Sequence, residues 1–168
     1  MWEDHGMDCV FVETAKNVKE RCHMFIECIP LSKECGATAP MFFKEAINNS
    51  ETEWSDNKKL LKLADKNGDI RRLIPKGFSY FSIDFGLQPG YVHIIEDEHR
   101  FQRSFAHECI AGMLDIEHDK WRKTKVLSNE RLKECRNRLI ELWSPYDWTE
   151  VAKRSIRGQD NKEPGPSH

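Results

Sequence analysis

The 168-residue chain is 39% hydrophobic and 32% charged, with five Trp and nine Phe, so it carries ample core material for one domain, or one and a part, and is not a disordered polymer. A formal net charge of -2 supplies no global field for nucleic acid, so any basic surface has to be local. No run of 18 apolar residues is present to predict a membrane span.

Residues 1–6 read as a last helical turn closed by Gly6, and they lack the apolar core of a signal peptide. The six cysteines (9, 22, 28, 35, 109 and 135) contain no Cys-x-x-Cys pair, which predicts free, mostly buried thiols in a reducing compartment. Cys9–Glu13 reads as a strand. After a polar loop, Cys22–Pro30 reads as its antiparallel partner. Strand alternation would place Cys22, Met24, Ile26 and Cys28 on one face and His23, Phe25, Glu27 and Ile29 on the other. By local pattern alone, His23 and Glu27 are either ordinary polar groups on a solvated face or what remains of a site.

A loop over 31–38 leads to a helix beginning at Pro40 and running to about Asn48. A second helix is predicted over Trp54–Ala64. The stretch Asp65–Asp69 imitates a calcium loop, but its glycine is misplaced and Lys76 stands where a bidentate Glu would close the site. It is therefore read as a turn before a short helical piece, Ile70–Leu73. Tyr80–Phe85 and Tyr91–Glu96 form a second predicted hairpin, with His93 read as structural. Helices follow over 101–114 and Asn129–Trp143, the latter with Ser128 as N-cap and Leu132, Cys135, Leu139, Ile140 and Trp143 on one stripe. From about Ala152 the composition predicts a disordered tail.

The chemistry-bearing candidates are few. Cys22, His23, Cys28 and Cys35 match no common zinc spacing, so no metal site and no cofactor is expected. Two basic clusters suit phosphate contact: Lys58, Lys59, Lys62, Lys66, Arg71, Arg72 and Lys76, and then Lys120, Arg122, Lys123 and Lys125 around Trp121. For each, a solvated charged surface is the competing reading.

An ordered series of motifs narrows the field: Cys22–Pro30, Ala39–Lys44, Tyr80–Gly86, His93–Asp97, Gly112–Leu114, Trp121–Lys123 and Trp143–Thr149. Over roughly residues 1–149 this series resembles the C-terminal region of the CwfJ family. That region is similar to the histidine-triad superfamily, with signature His-apolar-His-apolar-His. The resemblance puts His23, Phe25 and Glu27 at the three positions. Where the superfamily's middle histidine attacks phosphorus, Phe25 has no lone pair to offer, and Glu27 repels an anionic phosphate. The resemblance thus implies a pseudoenzyme with vestigial triad positions. It implies an α+β fold of antiparallel hairpins packed with helices: residues 1–37 as part of a degenerate histidine-triad-like domain, 38–149 as a CwfJ C-terminal domain and 150–168 as tail. Family members carry an upstream Cys-x-x-Cys and a further His-containing strand, so the chain is expected to start inside that domain. The implied role is nuclear and belongs to pre-mRNA splicing, in late complexes that hold the excised intron lariat. The implied partners are spliceosomal proteins, intron-lariat RNA or snRNA, and the lariat-debranching enzyme, with no membrane. The alternative is residual nucleotide-binding or phosphohydrolase activity, with His23 or His93 as the reactive group. The RNA-contact candidates are Lys120, Trp121, Arg122, Lys123, Lys125, Arg71, Arg72 and Lys76.

Overall fold

A computed structural model of the chain describes residues 1–20, 24–50, 60–66, 68–86, 88–122, 126–150 and 152–153. Two compact units are present, Trp2–Thr124 and a C-terminal unit beyond it. The first is α+β. Its five strands, β1 (Met7–Ala15), β2 (Glu27–Ser32), β3 (Leu61–Lys62), β4 (Ser79–Phe85) and β5 (Gln88–Ile95), form one antiparallel sheet in the order β2-β1-β4-β5-β3. Both predicted hairpins are present, and β1 pairs with β4 to join them across the boundary expected near residue 37.

Alternation along the strands sorts the sheet into two faces. Val10, Val12, Ile83, Phe81 and Ile95 face the helices α1 (Lys33–Asn49) and α2 (Phe105–Met113) and pack with Phe43, Ile47, Phe101 and Ile110. The register puts Cys9, Phe11, Glu13, Cys28, Tyr80 and Ser82 on the other face. The β4–β5 hairpin is irregular between Ile83 and Phe85. Gly90 lies so close to the Ile83 carbonyl that a Cβ would collide with it, and its N–H donates to Asp84 Oδ1 at 2.9 Å. A bulge of this kind needs a residue without a side chain.

Several sequence expectations change. Helix α1 starts at Lys33, not at Pro40, because Ser32 caps it by accepting from the Cys35 N–H at 3.3 Å. Pro40 then lies inside the helix, where its missing N–H costs one bond toward Gly36. Gly36 has its own reason to be small, since α1 crosses β1 there and a Cβ would strike the Asp8 carboxylate. The helix predicted over Trp54–Ala64 is not formed where it is described: Leu61–Lys62 is a strand and Leu63–Lys66 a 3-10 turn, while 51–59 lie outside the described residues. Strand β2 begins at Glu27, so the alternation expected through Met24, Phe25 and Ile26 is absent and all three are exposed. Cys28, expected inward, is exposed as well.

In the C-terminal unit, α4 (Asn129–Trp143) has the predicted bounds, with the Ser128 hydroxyl accepting from the Arg131 N–H at 3.3 Å. Its stripe of Leu132, Leu139, Ile140 and Trp143 is exposed. Of the predicted disordered tail, Ala152 and Lys153 are helical and 154–168 lie outside the described residues.

Phe43 is fully buried and touches Phe81 and Phe85, whereas Met41 on the same helix is 65% exposed. Phe43→Ala is expected to lower the unfolding free energy by ~3–5 kcal/mol, and Met41→Ala by less than ~0.5 kcal/mol. Urea denaturation of both variants checks the assignment of the core face.

Candidate functional site

Of the three positions that the resemblance matches to the triad, the two described ones, Phe25 and Glu27, face different surroundings. His23 lies outside the described residues. Phe25 precedes β2 and is 55% exposed. It lines a shallow cavity of about 130 Å³ with Glu13, Lys16, Val18, Tyr80 and Arg103. Glu27 begins β2 opposite Val12, on the helix side of the sheet, and its Oε1 lies 3.7 Å from His107 Nε2 of α2. Glu27 is not among the residues lining the cavity beside Phe25.

Within the cavity the Tyr80 hydroxyl donates to Glu13 Oε1 at 2.8 Å. Burial raises the Glu13 carboxyl above its ordinary range, opposed by the Tyr80 hydrogen bond. Burial and the adjacent Glu13 push the Tyr80 phenol upward. The Lys16 ammonium donates to the Phe101 carbonyl at 2.6 Å, so it ties the end of β1 to the loop before α2. Beside it, the Asn17 N–H and the Ser79 hydroxyl both donate to Glu98, at 3.0 and 2.6 Å. The Ser79 bond is the main reason the Glu98 carboxyl is held below the usual range. Among the described residues the cavity therefore pairs a carboxyl and a phenol with an aromatic wall and the Arg103 guanidinium.

His93 is buried in the core and stacks on Phe101 with ring centroids 5.6 Å apart. It is sealed from solvent and reaches no surface reaction. Among the described residues, no group of three or more His, Cys, Asp or Glu is placed to hold a metal ion. Cys22 and His23 lie outside those residues, while Cys28 and Cys35 belong to β2 and α1.

The RNA-contact candidates divide by location. Trp121 and Arg122 end the short helix α3 (His118–Arg122), and the guanidinium carbon lies 5.2 Å from the centre of the Trp121 ring. Arg122 also donates to Glu108 Oε1 at 2.7 Å and to Gln102 at 3.2 Å. Lys120 pairs with Glu117 at 3.2 Å. Lys123 and Lys125 lie outside the described residues. Arg71 and Arg72 flank one carboxylate, Asp69, at 3.1 and 3.4 Å, and Lys76 is exposed. Of the remaining basic cluster, Lys62 is exposed on β3, and Lys58 and Lys59 lie outside the described residues.

Two family patterns cover most of the chain. The one described as protein similar to CwfJ C-terminal matches residues 1–44, and protein similar to CwfJ C-terminus 2 matches residues 53–149. The chain belongs to the CwfJ C-terminal family. It is 50% identical over 149 residues to CWF19-like protein 2 of Homo sapiens, covering 89% of this chain and 16% of that protein. It is 44% identical over 153 residues to the CWF19-like protein 2 homolog of Caenorhabditis elegans, covering 91% and 32%. It is 32% identical over 123 residues to pre-mRNA-splicing factor cwf19 of Schizosaccharomyces pombe, covering 69% and 19%. The chain thus spans less than a third of the length of each of these relatives.

Family membership places the motifs, but not the contacts that surround them. Tyr80, Arg103 and His107 lie far from the Phe25–Glu27 segment in sequence, and the folded sheet and its docked helices bring them to it. A carboxyl raised by folding contributes stability below its unfolded pKa and loses that contribution as pH rises through the folded value. Glu13→Gln keeps an acceptor for Tyr80 and removes the titration. Its stability relative to the wild type is expected to improve from about pH 4 to about pH 7, the side on which the wild-type carboxyl ionises. Urea denaturation across that range checks it, and a difference that stays flat with pH defeats the assignment.

Proposed function

We propose that this chain is a non-catalytic module of a nuclear pre-mRNA splicing factor, acting in late complexes that hold the intron lariat. One observation carries this reading: two successive CwfJ segments match it in order, and one relative of that family is named a pre-mRNA-splicing factor. Its partners on this reading are spliceosomal proteins, intron-lariat RNA or snRNA, and the lariat-debranching enzyme.

The pseudoenzyme part of the proposal rests on side-chain chemistry. Phe25 supplies neither a nucleophile nor a proton at the central triad position. Glu27 is turned toward His107 and adds negative charge where a phosphate would need donors. Purified chain is expected to turn over neither adenylated nor branched nucleotide substrates. Turnover that disappears in His23→Ala overturns the proposal.

RNA contact is assigned to the Trp121 face, with Arg71, Arg72 and Lys76 as a separate basic surface. The Arg122 guanidinium, already laid against the Trp121 ring, presents a cation and an aromatic plane together, a combination that suits a phosphate beside an unstacked base. An RNA phosphate there competes with Glu108 for Arg122. Replacing Lys120, Arg122, Lys123 and Lys125 with Ala is expected to weaken single-stranded RNA binding. It is also expected to flatten the plot of log affinity against log salt by about 0.7 per lost phosphate contact. Unchanged affinity and slope in a salt-titrated binding assay defeat the assignment and leave a purely protein-binding module.

A further inference from the structure

The sheet face opposite the helices carries a pair of thiols that the triad chemistry does not involve. The register sets Cys9 opposite Pro30 and Cys28 opposite Phe11, so the two cysteines are diagonal neighbours on one face of the β1–β2 pair. Their sulfurs lie 3.1 Å apart. Cys9 is buried and Cys28 is exposed. The Trp2 indole N–H donates to Cys28 Sγ at 3.3 Å.

We propose that Cys9 and Cys28 form a reversible cross-strand disulfide, with peroxides as the oxidant class and Cys28 as the thiol that reacts first. The division of roles follows from access. Only Cys28 meets a solute oxidant, while burial and the neighbouring Cys28 sulfur push the Cys9 thiol up to about 12 and keep it protonated. In the first step the Cys28 thiolate attacks a peroxide oxygen. An S–O bond forms, the O–O bond breaks, and hydroxide or alkoxide leaves; the sulfur is oxidised to a sulfenic acid by two electrons and the peroxide is reduced. In the second step the Cys9 sulfur attacks Cys28 Sγ, the S–O bond breaks, and the departing hydroxide takes the Cys9 proton as water. The sulfurs have only about 1 Å left to close to reach a bond of about 2.05 Å.

The bond has a mechanical consequence at the candidate site. β2 is an edge strand whose one neighbour in the sheet is β1. The segment between the two cysteines carries Lys16, Val18 and Phe25 of the cavity wall. Oxidation therefore closes this segment into a covalent loop and fixes the edge strand to the sheet.

The test is peroxide titration of the intact folded chain, read by mass spectrometry. Expected are a loss of two hydrogen atoms, a Cys9–Cys28 linked peptide on digestion, and full reversal by dithiothreitol. Cys22→Ser retains the link. Cys9→Ser abolishes it and leaves Cys28 as a sulfenic acid that dimedone captures. Amide exchange in Glu27–Ser32 is expected to slow at least about tenfold on oxidation, since the strand can no longer open independently. A link that maps to Cys22 overturns the proposal. So does one that forms only after urea is added, or a folded chain that reacts at Cys28 without losing two hydrogens. The wild-type peptide map decides the point without any variant, and it does so whether or not the chain binds RNA.

Discussion

The Phe81 ring is the contact that ties the sheet of the first unit to helices α1 and α2. It sits fully buried on β4, stacked on Phe43 of α1 at 6.4 Å and edge-on to Phe105 of α2 at 5.0 Å, with Phe101 at 5.9 Å. Aromatic pairs in these geometries contribute ~0.5–1.5 kcal/mol each beyond the area they bury. The larger effect is positional. One ring ties a central strand to both helices and to the loop before α2, and that loop is tied back to β1 by Lys16 and Asn17. Because β1 lies between β4 and β2, the position of the edge strand with Glu27 is inherited from this cluster through two sets of ladder hydrogen bonds.

The edge position has consequences for what the strand can do. Pro30 has no N–H to offer a ladder, and proline within a sheet is confined to edge strands, first positions and bulges. It fits β2 because β2 has a neighbour on one side only. Pattern alone shows no such asymmetry. Cys22–Pro30 looks like a symmetric alternating strand, whereas in the fold the first described part of it, Met24–Ile26, leaves the ladder and exposes three large apolar side chains. Phe25 accordingly lies against a cavity wall, outside the strand register, while Glu27 keeps that register and turns to α2.

The parts legible in the sequence are those governed by local rules. Ser128 and the stripe of α4 follow capping and 3.6-residue periodicity, and α4 has the predicted bounds. The β4–β5 hairpin forms at the predicted connection Gly86–Gly90, although β5 already begins at Gln88 within it. Helix α1 shows how the local reading fails. Pro40 reads as a first-turn residue and Cys35-Gly36 as a loop, yet the Ser32 cap and close packing on Asp8 begin the helix seven residues earlier. Tertiary contact made glycine a packing residue there and made proline tolerable. The candidate site was illegible for a related reason. Glu13, Tyr80 and Arg103 come together at the cavity, and His107 meets Glu27 on the helix side, by strand register and helix docking, which no motif spacing encodes.

Electrostatics then separates the two candidate surfaces. Around the Phe25–Glu27 segment the fold has placed Glu13 and Glu27, and Lys16 is engaged with a backbone carbonyl. At ~5 Å a carboxylate repels a phosphate charge by ~3 kcal/mol at an effective dielectric constant of 20, and more where water is excluded. A phosphate entering beside Phe25 would meet that repulsion, with the Arg103 guanidinium to offset it among the described lining residues. The Trp121 face has the opposite balance: its cation is held against an aromatic plane by a carboxylate and an amide that a phosphate can displace. The cation laid on an aromatic plane lies on α3, apart from the Phe25–Glu27 segment and the cavity beside it.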